Sequence, residues 1–236
     1  MIVDSVVSKA LSGLPSSHVL PTMQVRSLER QKAMLSAGLK LTEQADWEKV
    51  SVAEIAAVNG FSVGSFYTRF QNKQAYLDVL ISIVALQMRK KMDIFIAQQQ
   101  AKNESAIQKL DSFIEQAIHT FLSLKGIIRM SVVNRRKDTN GEVLTYPFTE
   151  ARAYSCEQFV QLMSSCLSDH DENTQVRLSF AHQMINSTLM NAILTDPGPI
   201  HLNDKVFKQE MVTAVSVYIG VRPVSAAALA NERLTK

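Results

Sequence analysis

Residues 51–73 have the sequence SVAEIAAVNGFSVGSFYTRFQNK. Ser51, followed three residues later by Glu54, is the pattern of a capping box, in which each side chain accepts a hydrogen bond from the backbone of the other residue. Gly60 follows soon after, and glycine readily adopts the left-handed conformation that ends a helix. Ser62 is a favoured N-cap for a further helix. The stretch therefore predicts two short helices joined by a tight turn.

The second of these helices has two unlike faces. Val63, Phe66 and Phe70 fall on one side at helical spacing. The opposite side is small, polar and basic, with Gly64, Ser65, Tyr67, Thr68 and Arg69. A plain helical hairpin explains the apolar side but not this outer face. The pattern predicts a helix-turn-helix, whose second helix enters the major groove of DNA.

Residues 51–73 resemble, position after position, the helix-turn-helix signature of the TetR family of transcriptional regulators, and the resemblance extends over about residues 26–80. It implies that Ser51 and Ser62 contact DNA phosphates. It also implies that bases or the groove floor are faced by Val63, Gly64, Ser65 and Thr68, and that the DNA backbone is clamped by Tyr67, Arg69 and Lys73. Asp46 stands where the family usually has glycine, which puts only the local turn in question.

The composition of the whole chain favours an all-α fold. Only 8 of its 236 residues are glycine and 6 are proline, while 46% are hydrophobic. Such a chain suits helices joined by few loops better than many short strands. Periodicity and caps predict helices over residues 24–44, from 73 to about 99, and over 104–124, 126–136, 147–167, 173–195 and 204–220.

These helices suggest four segments. Residues 1–23 lack a sustained helical stripe and are expected to form a flexible arm. Residues 24–74 form a three-helix DNA-binding domain, and residues 75–222 a larger helical domain for effector binding and dimerisation. Residues 223–236 are expected to be a tail.

The resemblance implies an effector cavity among the middle helices. Thioethers and aromatic rings line adaptable apolar pockets but also fill helical cores, so both roles stay open for each residue. The candidates are Met88, Phe113, Phe121, Met130, Phe148, Tyr154, Phe159, Met163, Phe180 and Met184. The expected effector is a small hydrophobic or aromatic molecule.

In the TetR family the last two long helices build a dimer interface, and the corresponding segments here have broad apolar stripes. The candidates for contacts between two copies are His182, Ile185, Leu189, Met211, Val215 and Tyr218. His182 lies among apolar residues and fits either a core or an interface position. A two-fold dimer would present its recognition helices to two half-sites of a palindromic operator.

Other classes of site find little support in the sequence. Cys156 and Cys166 are ten residues apart on one predicted helix, about 15 Å along its axis, which is too far for a disulfide. They are expected to be buried structural thiols. No metal-ligand spacing and no cofactor motif is evident. No stretch reaches the ~18 apolar residues of a membrane span, and no signal peptide pattern begins the chain, so no membrane partner and a cytoplasmic location are expected.

These observations together predict a homodimeric, ligand-responsive repressor that is not an enzyme. The net charge of +3 is too small to indicate a nucleic-acid partner by itself. Two alternatives remain from the sequence: a helical enzyme, and a ligand-binding protein that does not bind DNA. Salt-dependent binding of duplex DNA would distinguish the regulator from both.

Overall fold

A computed structural model of the chain describes residues 25–44, 47–133, 147–167 and 171–221. This part of the chain contains helices and no strand, which confirms the all-α prediction. Its helices are α1 (Val25–Gln44), α2 (Val52–Ala57), α3 (Val63–Tyr67), α4 (Lys73–Ala101), α5 (Ala106–Ser123), α6 (Lys125–Val133), α7 (Pro147–Ser164), α8 (Thr174–Leu194) and α9 (Lys205–Ile219). The expected arm, Asp46 and the expected tail lie outside the described residues.

The described helices belong to two compact units. The first unit contains α1 to α3, α4 up to Lys91, α6, and α7 up to Ala153. The second unit contains the rest of α4 and of α7, together with α5, α8 and α9. The domain boundary predicted after residue 74 divides the chain by function, whereas the two compact units divide it by packing. The predicted boundary stays a prediction.

The first unit is held together by a cluster of aromatic rings. The rings of Phe66, Phe70 and Tyr76 are fully buried, with centroids 4.8 to 5.2 Å apart. Trp47 stacks on Tyr76 at 6.0 Å. Burying such a side chain contributes about 1.5–3 kcal/mol. These rings join α3 to the start of α4, so the short α3 is stable only through its tertiary contacts.

The first part of α4 is buried on several sides, as its apolar sequence predicts. Its fully or almost fully buried residues are Tyr76, Leu77, Val79, Leu80, Ile81, Ile83 and Val84. The apolar side of α6 joins the same core through Ile127 and Met130. A side chain of Asn72 caps α4 by accepting a hydrogen bond from the backbone of Ala75 at 2.8 Å.

The second unit is a packing of helices in which α5 contacts both α8 and α9, and α8 contacts α9. Its core includes Leu110, Phe113, Phe159, Leu178 and Ile185. Lys208 of α9 forms ion pairs with Asp111 and Glu115 of α5, at 2.9 and 3.2 Å. These pairs are partly exposed, so burial of the apolar stripes supplies most of the stability.

Three further observations bear on the predicted sites. Neither Cys156 nor Cys166 forms a disulfide, and both are half-buried rather than buried, which corrects the expected burial. Among the described residues, no group of three or more His, Cys, Asp and Glu side chains could hold a metal ion. None of the helices described is long and apolar enough to span a bilayer.

Candidate DNA interface

The start of α2 is closed by the predicted capping box. The hydroxyl of Ser51 accepts a hydrogen bond from the backbone N–H of Glu54 at 3.1 Å, and the carboxylate of Glu54 accepts one from the backbone N–H of Ser51 at 2.6 Å. The backbone hydrogen bond from Ser51, followed by that from its side chain, lowers the pKa of Glu54. The Ser51 hydroxyl and the Glu54 carboxylate therefore each form a hydrogen bond within the chain, and together they hold the start of α2 in place.

The turn between α2 and α3 is made by Gly60, whose φ of +67° lies in the left-handed region. The next residue, Phe61, donates from its backbone to the carbonyl of Ala56 at 3.0 Å and closes the end of α2. The side chain of Asn59 donates to the carbonyl of Ala33 in α1 at 3.0 Å. The turn predicted from Gly60 is thus confirmed, and the side chain of Asn59 connects it to the first helix.

The recognition helix α3 is short and fixed by contacts at its start and on one side. The hydroxyl of Ser62 accepts from the backbone N–H of Ser65 at 3.2 Å, as predicted for an N-cap. Phe66 is fully buried, and its ring meets Tyr67 edge-on at 5.4 Å. The opposite side of α3 is exposed to solvent.

The exposed side of α3 and of its C-cap residue Thr68 consists of four residues at positions i, i+1, i+4 and i+5. Val63 is 42% exposed and Tyr67 49%, and Gly64 and Thr68 are also exposed. The apolar periodicity grouped Val63 with Phe66 and Phe70, and the structure corrects this, since Val63 lies on the outer face. These four residues form what we call the recognition face.

Gly64 is the smallest member of the recognition face, and nothing among the described residues requires it to be small. A Cβ atom added there would come no closer to a neighbouring atom than 3.8 Å, to the Ser62 hydroxyl. The backbone can thus approach an external surface closely at this point. An exposed glycine with open space around it suits a helix that is predicted to lie against DNA.

Arg69 is not part of the recognition face, contrary to the outer position predicted from periodicity. It is only 6% exposed, and its guanidinium donates to the carbonyl of Ser65 at 2.6 Å and to the hydroxyl of Thr68 at 2.9 Å. Burial, and then the charge of Arg30, lowers the pKa of Arg69. The side chain folds back over α3 and stabilises its C-terminal end.

Lys73 also contacts its own chain. Its ammonium donates to the carbonyls of Trp47 and Glu48 at 2.6 and 3.4 Å and lies 5.0 Å from the centre of the Trp47 ring. The lysine therefore connects the turn before α2 to the start of α4. The predicted role of Arg69 and Lys73 as phosphate contacts stays a prediction, and the structure adds an internal role for each.

The residues proposed for an effector pocket lie in different parts of the fold. In the second unit, the ring of Phe113 meets those of Phe159 and His182 at 4.7 and 6.0 Å. Phe121 and Met163 are buried in the same unit. Tyr154 and Met184 are half-buried there, and the hydroxyl of Tyr154 donates to the carboxylate of Asp93.

Three other pocket candidates belong to the first unit. Met130 is buried in its hydrophobic core, and Met88 and Phe148 pack against that core. The last candidate, Phe180 of α8, is 46% exposed and lies 5.8 Å from the ring of Tyr218 in α9. The structure thus brings together only some of the proposed residues, around Phe113 and Phe159.

Among the aromatic rings of the second unit lies a polar contact that sequence reasoning missed. The imidazole of His182, 2% exposed, is 3.0 Å from the hydroxyl of Ser155 and 3.0 Å from the amide of Asn186. Asn186 follows His182 by four residues, a spacing that could have revealed this pair. Ser155 precedes it by 27 residues, so no sequence signal could have indicated that contact.

The residues predicted for the dimer interface fall into two groups, one buried within the chain and one at least partly exposed. His182, Ile185, Leu189 and Val215 are buried within their own chain, so these four are core residues with no surface to offer a second copy. Met211 is half-buried, and Tyr218 is 41% exposed. Large apolar side chains that are exposed on α8 and α9 are Val176, Phe180, Val206, Val217 and Tyr218.

Comparisons with known proteins agree with this geometry. Residues 34–79 match the sequence model of a family described as bacterial regulatory proteins, tetR family. This range contains α1 from Met34 onward, α2, α3 and the start of α4. No curated protein matches the chain at a significant level.

Solved structures extend the likeness to most of the chain. A tetR-family transcriptional regulator from Streptomyces coelicolor is 14% identical, with a TM-score of 0.58 over 84% of this chain and 83% of that one. The fatty acid degradation regulator FadR from Bacillus halodurans is 16% identical, with a TM-score of 0.54 over 79% and 94%. FadR from Bacillus subtilis, solved with stearoyl-CoA, is 14% identical, with a TM-score of 0.54 over 81% and 98%. At these identities the likeness shows a shared fold.

Proposed function

Because this chain has the helix-turn-helix and the fold of the TetR family of DNA-binding transcriptional regulators, we propose that it is a homodimeric, ligand-responsive repressor. It binds a palindromic operator and leaves it when a small hydrophobic or aromatic molecule occupies the C-terminal part of the chain. The observation that carries the proposal is the recognition face, four exposed residues on a helix whose other side is locked into the core. Regulators of this family are generally not enzymes.

The DNA-binding role rests on how α3 is presented. The capped ends of α2 and α3 and the buried ring of Phe66 hold α3 in place, so its exposed residues are positioned before DNA binds. Preorganisation of this kind lowers the entropic cost of binding. Residues 24–74 thus act as the DNA-binding domain, and residues 75–222 as the domain for effector binding and dimerisation.

Dimerisation is supported by the exposed apolar residues of α8 and α9. The rings of Phe180 and Tyr218 lie on neighbouring helices, are 46% and 41% exposed, and form one patch. Contiguous exposed apolar patches on soluble proteins mark interaction sites. Two copies joined by a two-fold axis through this patch would present two recognition helices to half-sites about one helical turn, or a small multiple, apart.

The effector site is proposed around the aromatic rings of the second unit. Phe113 and Phe159 provide apolar surface, and His182 with Ser155 provides polar groups that fix the orientation of a ligand. The stearoyl-CoA named for the Bacillus subtilis FadR makes long acyl chains one class of effector to test beside aromatic molecules. Since α4 contributes residues to both units, a shift of this helix would couple effector binding to DNA affinity.

The test is selection of bound sequences from random duplex DNA, followed by affinity measurements with a panel of aromatic compounds and acyl thioesters. We expect a symmetric pair of half-sites, an affinity that falls steeply as salt rises, and release by at least one panel member. A duplex with the same composition in scrambled order is the control. Equal affinity for selected and scrambled DNA would disprove operator recognition, and binding as a single copy would disprove the dimer.

A further inference from the structure

The hydroxyl of Thr68, on the recognition face, is already engaged in hydrogen bonds within its own chain. It donates to the carbonyl of Ser65 at 2.9 Å and accepts from the guanidinium of Arg69 at 2.9 Å. A threonine hydroxyl has one proton to donate, and here that proton is used. The group that remains for an external partner is the γ-methyl, together with one lone pair.

The two serines at the start of α3 are engaged in a similar way. The hydroxyl of Ser62 accepts from the backbone of Ser65 at 3.2 Å, and the two hydroxyl oxygens are 3.1 Å apart. One hydroxyl proton is thus shared between them. The pair can therefore offer a single hydroxyl proton to DNA.

Of the other three members of the recognition face, Val63 and Gly64 are apolar, whereas Tyr67 carries a phenol hydroxyl. Val63 presents a branched side chain, 42% exposed, and Gly64 presents only its backbone. Gly64 and Thr68 are four residues apart, as are Val63 and Tyr67, so these residues lie together on one side of α3. The face thus combines the methyl groups of Val63 and Thr68 with an open glycine and the phenol of Tyr67.

From this arrangement we infer that the protein reads the 5-methyl groups of thymine in the major groove, through Val63 and the γ-methyl of Thr68. In the major groove, thymine is the base that presents a methyl group, and apolar side chains distinguish it by contact. Arg69 acts as a positioning residue, because its guanidinium holds the Thr68 hydroxyl away from the bases. The inference rests on the proposed function and names the base feature that the recognition helix selects.

The first test uses DNA alone. In the operator obtained by selection, each thymine is replaced in turn by deoxyuridine, which keeps the base pair and removes only the methyl group. For each methyl that is read, we expect binding to weaken about fourfold, which corresponds to the free energy of burying one CH2 group. At the other thymines we expect no change in affinity. An operator half-site that has no thymine, or whose thymines all tolerate deoxyuridine, overturns the inference. Failure to bind any selected DNA instead disproves the proposed function.

The second test assigns each methyl to a side chain. Val63→Ala should remove the sensitivity to deoxyuridine at one position of the half-site. Val58→Ala is the matched control, since Val58 is 53% exposed and follows α2 rather than lying in α3. This control should keep the full sensitivity. Loss of sensitivity in both variants, or in neither, would overturn the role of Val63.

Thr68 allows the methyl and the hydroxyl to be separated. Thr68→Val keeps the methyl and should keep the thymine preference, whereas Thr68→Ser keeps the hydroxyl and should lose about fourfold in that preference. The ratio of affinities for thymine and deoxyuridine is measured within each variant, so a general loss of stability cancels. The reverse result, with preference lost in Thr68→Val and kept in Thr68→Ser, would show that the hydroxyl reads the base.

Discussion

A Cβ atom at Gly38 would lie 2.0 Å from the phenol oxygen of Tyr76 and 2.7 Å from the ring carbon that carries it. The Tyr76 hydroxyl donates to the carbonyl of Met34 at 2.5 Å, and burial raises the pKa of Tyr76 well above its usual range. The phenol therefore stays protonated and serves as a donor. Because residue 38 is glycine, the ring of Tyr76 in α4 can pack directly against the backbone of α1.

The first prediction is that Gly38→Ala destabilises the protein. Alanine would gain up to about 1 kcal/mol in a helix relative to glycine, but here its methyl collides with a fully buried ring. Overpacking of this kind costs about 1–3 kcal/mol. Urea denaturation should show a lower free energy of unfolding. An unchanged or raised stability would mean that the ring of Tyr76 can move aside.

Gly64→Ala provides a matched comparison and is the second prediction. The added methyl meets open space, so stability should stay the same or rise by about 0.5–1 kcal/mol. Operator affinity should fall about tenfold, because the methyl would push α3 away from the groove floor. Fluorescence anisotropy with labelled operator measures the affinity. Wild-type affinity in this variant would show that position 64 does not approach the duplex.

The third prediction concerns Lys73. Lys73→Met should lower the free energy of unfolding by about 1.5–3 kcal/mol, the contribution of a hydrogen bond to a charged group, because the Trp47 carbonyl loses its donor. The exposed Lys40 of α1 is the control, and Lys40→Met should leave stability unchanged. The salt dependence of DNA binding measures the phosphate role separately, since loss of one contact reduces the slope by about 1. Equal stability of both variants would contradict the structural role.

The fourth prediction addresses the patch on α8 and α9. Phe180→Glu combined with Tyr218→Glu should convert the dimer to a monomer, because two carboxylates would be buried without partners. Sedimentation equilibrium measures the mass, and operator affinity should fall with it. Ile94→Glu, at a position 52% exposed on α4, is the control and should remain dimeric. A double variant that stays dimeric would place the interface elsewhere.

The fifth prediction is a pH dependence at the loop between α8 and α9. The hydrogen bond to Asp196, and then its charge, raises the pKa of His201 above its ordinary value near 6.5. A raised pKa means that the protonated form is favoured in the folded state. The resulting stabilisation is present below about pH 6.5 and disappears as the pH rises through the raised pKa.

Proton NMR titration of the His201 ring should therefore give a midpoint above the ordinary value. Asp196→Asn should lower the midpoint more than Asp204→Asn, since Asp204 contributes only through its charge. Both partners of the ion pair are about half exposed, so the effect on the melting temperature should be small. A larger effect from Asp204→Asn would contradict the hydrogen bond seen here.

Much of the DNA-binding part could be predicted from residues that are close in the chain. Ser51 and Glu54, three residues apart, indicate the start of α2, and Gly60 indicates its end. Periodicity alone was less reliable on the short α3, where it placed Val63 inside and Arg69 outside. A helix of five residues makes little more than one turn, and Phe70 and Arg69 lie beyond its end, so a helical repeat cannot assign their sides reliably.

The helices, their caps and the position of the recognition helix could be predicted without a structure, because these features depend on residues within about four positions of each other. Which side chains are available to a partner depends instead on contacts between distant parts of the chain. Lys73 meets Trp47 across 26 residues, and Ser155 meets His182 across 27. Whether a charge or a hydroxyl faces outward depends on such distant contacts, which no local pattern records.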